Sequence, residues 1–382
     1  MYLKCFIAAL LLFIAQKSFS QQADKFEIDG DLKGLKDGEA VKLILFHNRI
    51  YEPADSGFVK NGKFTIVGHV ADGPHYYELY FPSHRNKMVR LLINNAEKIS
   101  IHGGDIDKID HQVLDSWISV EGSNTNLSKL VLIPVYLGWY QNTLGLNNYL
   151  AKIKDSVGFD GSLVSGILSA RDIINQRLLQ GFLLDKDPMY TPAIPYILYL
   201  TAQTSHESFL VDAYNGLDEQ AKNSFYGKIC KQQVLLCVGQ HFPGFSLLSG
   251  SGDSIILDKL VVKNKLTLVH FWAVNSYIRS QYQDELRFFY KKYQNKGLGI
   301  VGVSSDDSEH EYKKFVKDQA FPWPNVSDFM GADGIVGKVY HEVGDPTTHN
   351  TTNVLIDANG KIVAWDPTGV ELQWYLRKYL GE

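Results

Sequence analysis

The pattern of apolar and polar positions changes twice along the chain, and its first part has the character of a β-sheet domain. From Phe26 to about Val120, alternating or apolar runs of strand length are separated by tight turns. The pair Asn61-Gly62 lies between two such runs and is typical of a type I′ hairpin, because both turn residues need a positive φ. The pattern predicts an N-terminal antiparallel β-sandwich over residues 21–123.

The rest of the chain divides into a helical part and a mixed part. From Asn124 to about Cys237, leucine, isoleucine and aromatic residues recur at helical spacing, which predicts a helical middle segment over residues 124–237. From Gln240 onward, apolar strands alternate with amphipathic helices, which is typical of a partly parallel α/β sheet. We therefore expect a multidomain protein whose third unit covers residues 238–382.

The first twenty residues have the character of a secretory signal peptide. Lys4 precedes a short apolar run, and small residues come before an expected cleavage site after Ser20. The run is shorter than the roughly 20 residues that span a bilayer. No later stretch is long and apolar enough to do so. We expect a periplasmic or secreted protein with no transmembrane segment in the mature chain.

Composition and charge exclude several classes of function. Hydrophobic residues make up 45% of the chain and charged residues 21%, as in ordinary globular proteins. Lys and Arg number 38 against 42 Asp and Glu, so there is no basic excess for binding nucleic acid. Neither the histidine spacings nor any glycine-rich loop fits a metal or nucleotide motif, and we expect no metal and no cofactor.

Several segments of the last third together resemble a known family. They are Phe242-Pro243-Gly244-Phe245, LTLVHFWA from Leu266, GIVGVSSD from Gly299, Phe321-Pro322-Trp323-Pro324 and VLIDANGKIV from Val354. This series resembles the TlpA-type branch of the thioredoxin superfamily, which is similar to the alkyl hydroperoxide reductase and thiol-specific antioxidant group. The resemblance implies an α/β thioredoxin-like fold for residues 238–382. The N-terminal segment resembles the uncharacterised sandwich domain that often precedes such domains.

The resemblance also implies where thiol-disulfide exchange would take place. The family has Trp-Cys-Gly-Pro-Cys directly after the strand that ends Phe-Trp-Ala, which puts the attacking cysteine at a helix N-terminus where its pKa is lowered. Here Ser276 and Arg279 stand at the two cysteine positions, and neither can form a disulfide. Either Ser276 or Asn275 is expected to cap the helix, and Ser276 is not expected to act as a nucleophile. His270, near the end of the strand, is expected to be a hydrogen-bonded core histidine.

A second feature of the family, the cis-proline position, is altered as well. Thioredoxin-like proteins place a cis-proline before the strand that faces the cysteine pair, where the backbone pairs with an extended peptide. The corresponding position is either Pro346 or Thr351, and the sequence leaves both open. The expected binding groove comprises Trp272, Asn275, Ser276, Tyr277, Arg279, Pro346 and Thr351.

The cysteines that would remain after processing are Cys230 and Cys237. Three interpretations stay open: two buried apolar cysteines, a structural disulfide, or a displaced redox pair. The leading hypothesis for function is a redox-inactive module that binds an extended peptide or another envelope component. The alternative is a thiol-disulfide oxidoreductase or antioxidant enzyme that uses Cys230 and Cys237. A third possibility is an interaction scaffold whose partner binds the β-sandwich.

Overall fold

The computed structural model describes residues 24–47, 50–153, 161–183, 191–274, 279–331, 334 and 352–382. Contacts divide the chain into two compact units. The first unit takes the described residues of Met1–Val135, Leu184–Tyr199 and Leu217–Ile229. The second takes those of Tyr136–Leu183, Leu200–Gly216 and Cys230–Glu382. The helical middle is thus shared between the units, and the boundaries 124–237 stay a prediction.

The first unit contains two four-stranded sheets. Their strands are β1 (Phe26–Lys33), β2 (Ala40–His47), β3 (Ile50–Phe58), β4 (Lys63–Gly68), β5 (His75–Phe81), β6 (Lys87–Ile93), β7 (Lys98–Asp105) and β8 (Ile118–Glu121). One sheet has the order β4-β1-β7-β8 and the other β3-β2-β5-β6.

The two sheets enclose one hydrophobic core. Buried and more exposed residues alternate along β1 and β4, as expected for strands with one face against a core. Residues of both sheets belong to a single apolar cluster, among them Phe26, Ile28, Leu43, Phe64, Leu79, Leu91 and Ile101. This confirms the predicted N-terminal sheet domain.

The turn after β3 has the backbone predicted for Asn61-Gly62, and Lys60 and Lys63 pair across it, although β3 and β4 belong to different sheets. Asn61 has φ 53° and Gly62 has φ 72°, the left-handed values that a type I′ turn needs at both positions. One pairing differs from the antiparallel expectation, because β1 pairs with β7 in parallel while it pairs with β4 antiparallel. The sequence pattern does not reveal this pairing, since it joins segments far apart along the chain.

The helical middle is present as predicted. Its helices are α1 (Asn124–Ile153), α2 (Gly161–Leu183), α3 (Ile194–Ala202), α4 (Phe209–Gly216), α5 (Glu219–Asn223) and α6 (Phe225–Gln233). Across the described stretches of the chain, no helix combines the length and the apolar character that a membrane crossing requires.

The second unit is built on a seven-stranded mixed sheet of order β10-β9-β13-β12-β11-β14-β15. In chain order its elements are β9 (Ser246–Ser249), β10 (Ser254–Ile256), α7 (Leu257–Val261), β11 (Leu266–Trp272), α8 (Arg279–Tyr293), β12 (Leu298–Ser304), α9 (Glu309–Gln319), β13 (Asn325–Ser327), β14 (Thr352–Asp357), β15 (Ile362–Trp365) and α10 (Gly369–Leu380).

The centre of this sheet follows the predicted alternation of strands and helices. Strands β11, β12 and β13 are parallel and are connected through α8 and α9. Strand β14 pairs antiparallel with β11 on the other side. Leu286 and Phe289 of α8 and Leu372 and Leu376 of α10 pack together with residues of the sheet in one apolar cluster.

Helix α2 is attached to the start of α10 by apolar and charged contacts. Val164 and Ile167 of α2 share a buried cluster with Val370. Beside it, Nη2 of Arg171 donates to Oε1 of Glu371 at 2.9 Å. The Nε atom of Arg171 lies 3.3 Å from Oε1 of Glu207. A partly buried arginine therefore holds this part of the helical middle against α10.

Candidate functional site

The end of β11 positions the candidate site, and Trp272 is its last strand residue. The Trp272 side chain is 2% exposed and its ring stacks on Tyr312 of α9, with centroids 5.8 Å apart and planes 16° apart. The Phe315 ring lies 5.2 Å away. Trp272 is therefore a core residue, which corrects the expectation that it lines a binding groove.

The segment that follows β11 is fixed by a carboxylate. The backbone N–H of Val274 donates to Oδ1 of Asp306 at 2.9 Å, and the Ser304 hydroxyl donates to Oδ2 at 2.6 Å. Burial raises the pKa of Asp306, although these hydrogen bonds act against that rise. Asp306 thus holds the chain at the point where it leaves the sheet toward the expected cysteine positions.

Most residues of the expected groove lie outside the described part of the chain. They are Asn275, Ser276, Tyr277, Pro346 and Thr351. The backbone of Arg279 is described and begins α8. The position of Ser276 relative to the helix, and the choice between Pro346 and Thr351, stay predictions.

Below this region, a buried polar pair connects the two central strands. His270 of β11 and Asn353 of β14 are opposite each other in the antiparallel register, and Nδ1 of His270 lies 2.9 Å from Oδ1 of Asn353. Both side chains are 1% exposed. Burial lowers the pKa of His270 to about 4, so the ring is neutral at pH 7. The prediction of a hydrogen-bonded core histidine is confirmed.

Sequence reasoning did not find Asn353 or its neighbour Asp366. The backbone N–H of Asp366 donates to the carbonyl of Asn353 at 2.6 Å, and the Asn353 N–H donates to Oδ1 of Asp366 at 3.3 Å. Desolvation raises the pKa of Asp366 to about 6. The available signal was a polar residue, Asn353, directly before the apolar run Val354-Leu355-Ile356.

The two remaining cysteines are buried thiols. Cys230 is 0% and Cys237 is 1% exposed, and among the described residues no disulfide is present. Burial raises the pKa of Cys237 to about 12 and raises that of Cys230 well above its ordinary value. Since the thiolate is the reactive species, this environment suppresses exchange chemistry at both positions. In the described ranges, no group of three or more His, Cys, Asp or Glu residues is placed to hold a metal ion.

The strand order and the helix after β11 define the class of protein to which the C-terminal domain belongs. Three parallel strands, an antiparallel fourth strand beside β11, and a helix that follows β11 are the arrangement of a thioredoxin-like domain. Residues 238–365 match the AhpC/TSA family, and residues 26–127 match a domain of unknown function, DUF4369. The C-terminal domain belongs to the AhpC/TSA family of thioredoxin-like proteins, and an N-terminal DUF4369 domain precedes it.

Several proteins that are similar to the C-terminal part of this chain are described as thiol-disulfide oxidoreductases. Thiol-disulfide oxidoreductase ResA of Bacillus thuringiensis is 26% identical over 144 residues, which cover 37% of this chain and 78% of ResA. The solved C-terminal domain of a protein described as a thiol-disulfide oxidoreductase of Bacteroides thetaiotaomicron is 32% identical, with 37% of this chain and 95% of that one covered and a TM-score of 0.34. A thiol-disulfide oxidoreductase of Bacteroides fragilis is 27% identical, with 36% and 98% covered and a TM-score of 0.33.

Proposed function

We propose that this protein is an extracytoplasmic thioredoxin-like binding module that does not run dithiol exchange. The observation that supports the proposal is the position of the cysteines in the chain. The chain contains three cysteines, at positions 5, 230 and 237, and none lies in the segment between β11 and α8. Ser276 and Arg279 stand where the family resemblance implies the reactive pair, so the site lacks the atoms that exchange electrons.

The described polar side chains around this segment have structural roles. His270, near the end of β11, is neutral and buried, and its Nδ1 is engaged with Asn353. Asp306 holds Val274 in place. The ligand in this proposal is an extended peptide or another envelope component that lies along the groove from Asn275 to Arg279 and the segment from Pro346 to Thr351. In this proposal, the expected signal peptide directs the protein to the periplasm or out of the cell.

The alternative activity, an oxidoreductase that uses Cys230 and Cys237, is favoured by the names of the similar proteins. It is opposed by the burial of both sulfur atoms and by their raised pKa values. One assay separates the two functions. Reduction of insulin by the purified full chain with dithiothreitol as electron source is expected to equal the dithiothreitol blank. Turnover that disappears in Cys230→Ser or Cys237→Ser would establish the oxidoreductase.

A matched gain-of-function variant tests whether the missing sulfurs are the reason for inactivity. The double variant Ser276→Cys, Arg279→Cys restores the spacing of the family's pair and is expected to gain dithiol exchange in the same assay. The single variant Ser276→Cys is the control, because one thiol has no resolving partner. If both the parent chain and the double variant are inactive, the missing cysteines at positions 276 and 279 are not sufficient to explain the loss of dithiol exchange. The cause would then lie in the surrounding groove.

A further inference from the structure

One nearly buried carboxylate lies on the outer face of the sheet β3-β2-β5-β6. In β5 the side chains of Tyr77 and Leu79 belong to the core of the sandwich. Glu78 lies between them in sequence and therefore points to the opposite face of the sheet. Glu78 is nevertheless only 7% exposed. Its neighbours across the register are Ile44 on β2 and Arg90 on β6.

No cation in the described ranges neutralises this carboxylate. The nearby guanidinium of Arg90 is engaged elsewhere, because its Nε donates to Oδ2 of Asp115 at 2.8 Å. No lysine, arginine or histidine nitrogen of the described residues lies within 4.0 Å of the Glu78 carboxylate. The hydroxyl of Tyr80 donates a hydrogen bond to Oε2 of Glu78 at 2.5 Å. A carboxylate that is largely removed from water, with one neutral donor among the described residues, is incompletely compensated.

The surroundings of Glu78 are aromatic and partly open to solvent. The rings of Phe46 and Tyr51 lie with centroids 4.7 Å apart. Tyr51 is 54% exposed, and Phe46 and Tyr80 are half-buried. Burial and the negative charge of Glu78 raise the pKa of Tyr51, so the carboxylate acts on this ring across the sheet. A cation that approaches past these rings would meet their negative faces first and the carboxylate behind them.

We propose that Phe46, Tyr51, Glu78 and Tyr80 form a binding site for an alkylammonium group, the chemistry of a lysine side chain. The carboxylate supplies a charge-assisted hydrogen bond, and the partly exposed rings supply cation–π attraction and cover the methylene groups. This site belongs to the sheet domain of unknown function. It is separate from the groove of the thioredoxin-like domain and does not depend on the function proposed for that groove.

The test is isothermal titration of the full chain with Nα-acetyl-lysine methylamide. Acetyl-norleucine methylamide keeps the four side-chain carbons but lacks the ammonium group, and n-butylammonium lacks the peptide groups. We expect the lysine probe to bind and the norleucine probe not to bind. Binding of n-butylammonium with similar affinity would assign the site to small amines, and binding restricted to the lysine probe would assign it to peptides. Both results support an alkylammonium site.

The variants identify the residues. Glu78→Gln is expected to weaken binding by roughly tenfold or more, since a charge-assisted hydrogen bond becomes a neutral one. Tyr51→Ala, which removes an exposed ring without opening the core, is expected to weaken it by about 2- to 5-fold. Asp110→Asn, which changes an exposed carboxylate of the same unit, is the matched control and leaves binding unchanged.

Three results would overturn the proposal. The first is no heat of binding for the parent chain at millimolar lysine probe. The second is binding of the lysine probe that is equally strong in the parent, in Glu78→Gln and in Tyr51→Ala. The Tyr51→Ala variant is included because its fold does not depend on a buried carboxylate. The third is binding that appears only in Lys42→Ala, because Lys42 lies opposite Tyr80 in the register and would then be the natural partner of Glu78.

Discussion

Nδ1 of His270 lies 2.9 Å from Oδ1 of Asn353, and this contact joins β11 to β14 in the interior of the C-terminal unit. An amide oxygen can only accept, so Nδ1 of the neutral ring carries the proton and donates it. Among the described residues, Nε2 has no hydrogen-bond partner. The pair therefore fixes the tautomer of a buried imidazole two residues before the end of β11.

Replacing Asn353 by Leu is expected to destabilise the protein. The substitution leaves the His270 N–H buried without an acceptor, which costs about 1–3 kcal/mol of unfolding free energy. Urea denaturation followed by circular dichroism measures this loss. Asn359→Ala, at an exposed position just after the same strand, is the control and is expected to change little. Equal stability of Asn353→Leu and the parent would show that the pair is not needed.

The same histidine gives a pH dependence of known sign. Its folded pKa of about 4 lies below the ordinary value of 6.5, so between these values the unfolded chain binds more protons. The contribution to stability is fully present above 6.5 and is lost as the pH falls toward 4. The urea midpoint is expected to fall between pH 7.5 and pH 4.5, and to fall less for His270→Gln than for the parent. His75 and His206 respond in the same direction in both proteins, so the fall is reduced in the variant but not abolished. Identical pH profiles would contradict this assignment.

His84 in the first unit responds in the opposite direction. Its ring lies between two carboxylates, with Nδ1 2.7 Å from Asp107 and Nε2 2.9 Å from Glu39. Burial alone would lower the pKa of His84, but these two carboxylates raise it above its ordinary value. Its contribution is thus present below 6.5 and lost as the pH rises through the raised folded pKa. Chemical denaturation is expected to show that His84→Gln costs about 1.5–3 kcal/mol at pH 6 and less at pH 9. A loss that grows with pH would refute this.

The buried thiols are expected to be unreactive in the native protein. Cys237 has a pKa of about 12, and both sulfur atoms are inaccessible to a bulky reagent. Dithionitrobenzoate is expected to label neither Cys230 nor Cys237 under native conditions and to label both in guanidinium chloride. Fast native labelling that either serine variant abolishes would instead indicate an accessible redox pair.

The ion pair between α2 and α10 is expected to be essential for stability. Arg171→Met leaves the carboxylate of Glu371, a 9% exposed residue, and that of Glu207 without their cation. Breaking a buried ion pair from one side costs about 3–5 kcal/mol. Thermal or urea unfolding measures this loss, and Arg177→Met, on the same helix, serves as the matched control. Recovery of stability in the triple variant Arg171→Met, Glu207→Gln, Glu371→Gln would identify the uncompensated charges as the cause.

Local patterns predicted the elements and some of the residues. The Asn61-Gly62 turn, the alternation of strands and helices after Gln240 and the core position of His270 followed from short stretches of sequence, because turn geometry and side-chain periodicity are local properties. The family motifs added the thioredoxin-like arrangement of β11, α8 and β14.

Contacts between distant segments were not accessible in the same way. Arg171 and Glu371 are 200 positions apart and neither belongs to a motif. Trp272 was expected in a groove because it ends a strand beside the site. In the structure, Trp272 lies on the face of the sheet that α9 covers. Its burial depends on where the chain between β12 and β13 packs, which the local sequence does not show. The same limit applies to Glu78, whose aromatic neighbours come from three strands.

The parallel pairing of β1 with β7 has a consequence for biosynthesis. As the chain emerges, β1 can join β4 early, but its other edge has no neighbour until Asp105 has been made. Contacts of such long sequence separation slow folding. A truncated product that stops before β7 keeps one side of its first strand open to pairing with other chains, which makes this strand the place where an interrupted synthesis would begin to aggregate.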